Sequence, residues 1–390
     1  MNKLAFIVLL SILISACSSP HSLEQRVQKN NYQQASFAPT NGDENYQEPF
    51  RFWGDEDPQF LFDPENNASA LRTDADALNI LVLSGGGANG AFGAGVLNGL
   101  HDAGTLPDFT IITGVSAGAL IAPFVYTGSE DIADLKALML GLNDKDFVGK
   151  KNLLNVFLKD SVSNGKGLHK IIEATYDQAM IDKMALAQQS GKRLFIGTTH
   201  LDSGRQIVWN LGAIANSNLA NKKALIHQIL TASASIPAVF PPQFIEVDVA
   251  GETREELPVD GGLSAQMFMD PSGYDYNEIS ETLGYTVPPQ IFVVRNGALY
   301  VPYKVVQDKG VDLMSRSLES LTIMQSRGDL YRMLYISEVN NFDLRFTFVD
   351  RDFTAPKNKN VMFDQAHMQA LFDYGYQKAI TQQLWLTIFH

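Results

Sequence analysis

The most constraining feature of this chain is Gly114-Val115-Ser116-Ala117-Gly118, set between an apolar run (Phe109 to Thr113) and a stretch with helical spacing. A sharp strand-to-helix turn forces its central residue into a strained backbone conformation. The residues two before and two after must then be small so that strand and helix can close on each other. A serine there is lifted to the sheet edge, at a helix N-terminus that favours a developing negative charge. The pattern predicts a nucleophilic Ser116. A purely structural turn serine is the other reading of the same five residues.

A second apolar run, Asn79 to Leu83, also opens into glycines: Gly85-Gly86-Gly87-Ala88-Asn89-Gly90. The spacing formally satisfies the dinucleotide fingerprint G-x-G-x-x-G. That use would want an acidic residue at the end of the next strand, to hold a ribose. The next strand instead runs into the Ser116 turn, and Asp108 stands at its beginning. Consecutive glycine N–H groups also suit another anion, the oxygen of a tetrahedral acyl intermediate, because no Cβ hinders its approach. The loop is therefore expected to serve an oxyanion.

A nucleophilic serine needs a proton acceptor. Seven histidines are present, and none sits in a Gly- or Pro-bracketed loop of the kind that presents a catalytic group. His367, on the last helix, is the histidine best placed for a Ser…Asp…His order. Val259-Asp260-Gly261-Gly262 offers a different base: an acid at a strand end, followed by two glycines that leave it uncrowded. Asp260 either takes the serine proton directly or is a turn aspartate satisfied by local N–H groups.

Glycine loop, serine elbow and Asp-Gly-Gly turn, in this order, resemble the patatin-like phospholipase family. Ala232-Ser233-Ala234-Ser235-Ile236-Pro237-Ala238-Val239-Phe240-Pro241-Pro242 is similar to that family's Ser/Ala-rich helix end and Pro-Phe-Pro stretch. The resemblance spans about Asn79 to Leu263. It implies a three-layer α/β/α sandwich and lipid acyl hydrolysis without a metal or other cofactor. It makes Ser116 the nucleophile and Asp260 the sole base of a Ser–Asp dyad, with Gly85, Gly86 and Gly87 lining the oxyanion hole. Two places depart from the family pattern: Ser84 stands where an Asp is usual, and Asn89 where a cation is usual.

Along the rest of the chain, strands are expected at Leu194–Thr199, Gln206–Trp209, Gln243–Val249, Leu257–Asp260 and Gln290–Arg295, with a helix at Ala224–Ser233. Strand–loop–helix alternation predicts an α/β fold with a largely parallel sheet. Residues 77–297 form the expected catalytic core. Residues 298–390 are expected to be a mainly helical extension packed on the same domain, with a helix over Val311–Val339, a strand over Leu344–Val349 and a last helix from Gln365. Leu263 to Pro288 is weakly patterned and reads as either a lid or an inert excursion. Phe124, Val239 and Phe240 neighbour the motifs and are candidates to hold an acyl chain.

The front end is of another kind. Met1-Asn2-Lys3 and an apolar run to Ile14 have the anatomy of a secretory signal and are too short to span a bilayer. Ile14-Ser15-Ala16-Cys17 resembles the bacterial lipobox, which implies removal of residues 1–16 and a lipid anchor on Cys17. Ser18 after the cysteine resembles lipoproteins sorted to the outer membrane of Gram-negative cells. Residues 17–76 are polar and read as a tether, with Phe50 to Trp53 and Phe60 to Phe62 docking it on the body. Cys17 is the only cysteine, which excludes an intrachain disulfide and a Cys-based zinc site. With 43 acidic against 30 basic residues the chain is a poor partner for nucleic acid. The expected partners are a lipid ester substrate and the membrane that holds the anchor. Three rival readings stand beside the dyad hydrolase: a Ser116–His367 esterase of the α/β-hydrolase type, an envelope scaffold without catalysis, and a nicotinamide-dependent enzyme.

Overall fold

The computed structural model describes residues 21–37, 48–56, 58–63, 68–72, 75–147, 166–237, 239–269, 276–358 and 361–389. Cys17 and the signal segment lie outside them, as does His390. Among the described residues there are twelve strands: β1 (Arg51–Trp53), β2 (Phe62–Asp63), β3 (Ala68–Ser69), β4 (Asn79–Leu83), β5 (Ile111–Val115), β6 (Arg193–His200), β7 (Arg205–Asn210), β8 (Ile245–Val249), β9 (Glu252–Glu256), β10 (Pro258–Asp260), β11 (Gln290–Val294) and β12 (Asp343–Thr347). Eight of them build one sheet in the order β1-β7-β6-β5-β4-β11-β12, with β10 added against β6. Strands β6, β5, β4, β11 and β12 run parallel, while β7, β1 and β10 are antiparallel additions.

The central strands β4, β5 and β6 are buried at every position because both of their faces are covered. In β4, Leu81 and Leu83 point into one core with the helices Gly90–Asp102, Ala117–Thr127 and Gln365–Ile380. Ile80 and Val82 point into a second core on the opposite face. Leu330 and Met333 of the 31-residue helix Gly310–Asn340 close that second core. The protein is thus an α/β/α sandwich around a mostly parallel sheet.

Several segments take places that composition did not disclose. Residues Arg51–Trp53, read as a docking patch on a tether, form an edge strand whose Trp53 is buried. The region after residue 297 contributes β12 to the parallel sheet, and its last helix packs on Gly90–Asp102. There Gly95 and Gly99 face another helix rather than the sheet. A Cβ on Gly95 would fall 2.0 Å from the Phe372 carbonyl oxygen, so only glycine permits that approach. In the expected lid region, Met267, Phe268, Met269 and Tyr276 are core residues, and Tyr276–Thr282 is helical. The described part of that stretch is neither a lid nor an excursion; residues 270–275 lie outside the described set.

Candidate active site

Strand β5 ends in the serine elbow. Ser116 has φ 53° and ψ −117°, one of the few non-glycine residues with positive φ, and it caps the helix Ala117–Thr127. A conformation of this kind costs of order 1–3 kcal/mol and persists only where its surroundings hold it. Part of that hold is steric closeness: a Cβ on Gly118 would sit 2.3 Å from the Leu83 carbonyl oxygen, so the helix could not start so near β4. Part is polar. The Ser116 N–H donates to Ser233 Oγ at 3.0 Å, and Ser233 Oγ donates in turn to the Gly197 carbonyl at 2.7 Å. The Ser/Ala-rich helix end thereby acts as a prop for the elbow.

Asp260 arrives from β10, which pairs with β6 next to β5. Its own N–H is held by the Ser235 carbonyl at 3.1 Å, and its carbonyl accepts from Thr199 Oγ1 at 2.9 Å. Ser116 Oγ donates to Asp260 Oδ2 at 2.7 Å. The Gly262 N–H donates to Asp260 Oδ1 at 2.8 Å. One carboxylate oxygen thus meets the Ser116 hydroxyl, and the other is held by an N–H of its own turn. Ser116 and Asp260 are each only 6% exposed. Burial pushes the Asp260 carboxyl up to about 6, against the pull of the Ser116 and Gly262 hydrogen bonds.

The six described histidines lie elsewhere. His367 Nδ1 is 3.2 Å from the Pro356 carbonyl. His227 and His200 bond the Tyr176 carbonyl and Ser203, and His169, His101 and His21 bond Thr231, Asp102 and Glu255. None of these hydrogen bonds reaches Ser116 or Asp260.

The glycine loop divides its labour. The Gly85 N–H is spent on the Gln266 carbonyl at 3.0 Å. The N–H groups of Gly86 and Gly87 have no partner among the described residues, and Gly87 lines one cavity with Ser116. That cavity has a volume of about 120 Å³ and is walled by Leu120, Met139, Leu142, Leu168 and Phe240. Of the three residues expected to hold an acyl chain, Phe240 lines it. Phe124 belongs to the core, and Val239 packs against the core.

Behind the loop stands a group of residues that the motifs did not disclose. Arg295 and Asn296 follow β11, the neighbour of β4. The buried Arg295 guanidinium donates from Nη1 to the Gly85 carbonyl at 2.5 Å, to Ser84 Oγ at 3.1 Å and to the Asn296 carbonyl at 3.0 Å. Burial draws it down to about 10, which leaves it cationic at neutral pH. Asn296 Nδ2 donates to the Ser84 carbonyl at 2.7 Å, and Asn296 Oδ1 accepts the Gly93 N–H at 3.0 Å. Asp329, on the long helix, accepts the Gln266 N–H at 2.8 Å, while Gln266 Nε2 donates to the Gly262 carbonyl at 2.8 Å. One continuous polar frame thus joins the long helix, the Asp260 turn and the glycine loop. Ser84, which departs from the family pattern, is a working member of that frame.

Residues 81–271 match the family model described as patatin-like phospholipase. No curated protein sequence matches the chain. Among solved structures it is similar to VipD from Legionella pneumophila (14% identity, TM-score 0.42, covering 79% of this chain and 67% of that one). It is also similar to ExoU of the Pseudomonas aeruginosa type III secretion system, solved with SpcU (14% identity, TM-score 0.28, covering 68% of this chain and 53% of that one). A third is human GIVD cytosolic phospholipase A2 (10% identity, TM-score 0.36, covering 80% of this chain and 60% of that one). The family match assigns residues 81–271 to the patatin-like phospholipases, and with them a lipid ester hydrolase domain to this chain.

Proposed function

We propose that the protein hydrolyses lipid carboxylic esters through a Ser116–Asp260 dyad and an acyl-enzyme. The observation that carries this reading is the 2.7 Å hydrogen bond from Ser116 Oγ to Asp260 Oδ2. Asp260 takes the hydroxyl proton as Ser116 Oγ attacks the ester carbonyl. The oxyanion rests on the free N–H groups of Gly86 and Gly87, an interaction worth about 10²–10³ in rate per donor. The alcohol leaves with the proton from Asp260, and the acyl chain lies in the apolar cavity at Ser116. Water, deprotonated by Asp260, then attacks the acyl-enzyme; the acyl–Oγ bond breaks, Asp260 returns the proton to Ser116 Oγ, and the fatty acid is released. The rival Ser116–His367 esterase has less support, because His367 lines a separate cavity. A dinucleotide role for the glycine loop has none, since Ser116 faces the same cavity as Gly87.

Turnover of dihexanoylphosphatidylcholine tests the proposal, with Ser116→Ala as the inactive control. The acid limb is a second readout. Only ionised Asp260 can accept the proton, and its pKa is raised to about 6. Activity is therefore expected to hold at neutral pH and to fall about tenfold per unit below pH 6. A profile flat down to pH 4.5 would remove Asp260 as the base.

We further propose that Cys17 is lipidated and holds the enzyme on the cell envelope, at the outer membrane of a Gram-negative cell. The lipobox-like Ile14-Ser15-Ala16-Cys17 supports this. Metabolic labelling with a palmitate analogue is expected to mark the wild type and to be lost in Cys17→Ser. Equal labelling of both would refute the anchor.

A further inference from the structure

The glycine loop borders two cavities. Gly87 and Ala88 line the apolar one with Ser116. The next residue, Asn89, lines a larger one of about 630 Å³ together with Gly297, Tyr300, Glu319, Asp350, Arg351, Lys357 and His367. The mechanism uses nothing in this second space.

Its charges are unevenly matched. Glu319 accepts from Lys304 at 3.2 Å and from Arg316 at 3.1 Å. Asp350 accepts from Lys378 at 2.5 Å and from the Tyr374 hydroxyl at 2.9 Å. Both acids in the wall are therefore neutralised by cations outside it. Arg351 and Lys357 have no ion pair among the described residues. The Arg351 guanidinium lies over the Tyr300 ring, 3.7 Å from its centroid, which fixes it, and among the described residues no hydrogen bond uses its N–H donors. Asp352 is outside the wall and accepts from the Tyr374 hydroxyl. In a chain of formal charge −13, a concave site with two unmatched cations is selective for an anion.

We propose that this cavity is a phosphate subsite, in which Arg351 and Lys357 take the anionic phosphodiester of a glycerophospholipid while its ester lies at Ser116. The inference rests on the hydrolase reading above for the placement of the ester. A glycerophospholipid separates its acyl ester from its phosphate by a short glycerol bridge. Gly87 lines the cavity at Ser116, and Asn89, two residues along the glycine loop, lines the other. Guanidinium and ammonium groups bind phosphate oxygens through charge-assisted hydrogen bonds. An ester without a phosphate draws nothing from this subsite, so its occupancy selects phospholipids over neutral glycerides.

The test uses the full chain with Arg351→Gln, Lys357→Gln and both together. Hydrolysis of dihexanoylphosphatidylglycerol is compared with that of dihexanoylglycerol. The ratio of the two kcat/KM values is expected to fall about tenfold or more in the double variant. An unchanged ratio overturns the proposal. Binding to Ser116→Ala separates this from the hydrolase reading. If the wild type cleaves neither ester, yet Ser116→Ala binds the short-chain phospholipid and loses it with both Gln substitutions, the subsite stands and the hydrolase reading fails. Inorganic phosphate and glycerol 3-phosphate probe the other source of the same chemistry. Phospholipid binding about tenfold tighter than inorganic phosphate supports the headgroup assignment; equal affinity makes the cavity a free-phosphate site and overturns it.

Discussion

Asp260→Asn is expected to lower ester turnover by about 10⁴-fold, the scale set by disabling one member of a catalytic serine unit. It is also expected to make the protein more stable at neutral pH. Both effects follow from one placement. Asp260 is the hydrogen-bond acceptor of the Ser116 hydroxyl, and no described histidine is bonded to either residue. An amide cannot take the proton. The gain in stability comes from burial. The folded state raises the Asp260 pKa from 3.8 to about 6, so it holds the neutral form more tightly than the unfolded chain does. The stabilisation is complete below pH 4 and is lost as pH rises through 6. Above that, the ionised group stays buried at a cost of about 3 kcal/mol, from roughly two pKa units. Asparagine is neutral at every pH and keeps an oxygen for the Gly262 N–H. Its Tm is expected to exceed that of the wild type by a few degrees at pH 7.5 and to match it near pH 4. Turnover within tenfold of wild type would mean that another group is the base.

Gly86→Ala is expected to cost about 10²–10³ in kcat. A Cβ on Gly86 would lie 2.3 Å from the Asn296 carbonyl oxygen and 2.6 Å from Asn296 Cβ. Asn296 has little freedom to yield, since it is bonded to Ser84 and to the Gly93 N–H. The loop must move instead, and with it the N–H groups of Gly86 and Gly87. Donors displaced by about 1 Å from the oxyanion position lose most of their effect. Gly87→Ala is the informative comparison. Its φ is +54°, so alanine is strained by about 1 kcal/mol, yet its Cβ meets nothing within 4 Å. The loss of kcat should be clearly smaller there. Equal losses would show that crowding by Asn296 is not what sets the effect.

The contrast between these residues shows what a sequence can disclose. Ser116, Asp260 and the three glycines are legible because each sits in a local pattern that backbone geometry demands: a strand end, a tight turn, a helix start. The strands of the sheet centre are legible because burial on both faces favours apolar runs such as Ile80–Leu83. Arg295 and Asn296 are silent by the same logic. They meet Ser84 and Gly85 only because β11 lies beside β4, although more than 200 residues separate them along the chain. The available signal was an Arg-Asn-Gly directly after the apolar run Ile291–Val294, at the carboxyl edge where α/β sheets place their sites. Strand β9, Glu252–Glu256, escaped notice because its sequence is almost wholly polar or charged. It forms a hairpin with β8 that lies outside the main sheet and needs no second apolar face.

The central claim is that Ser116 is an activated nucleophile that does not depend on a histidine. Labelling with a fluorophosphonate probe tests it most directly, with the modified peptide mapped by mass spectrometry in the wild type and in His367→Ala. A label on Ser116 is expected in both proteins, at rates within about twofold of each other, since His367 lies outside the reacting groups. A label that disappears in folded His367→Ala, or that maps to another serine, would contradict it.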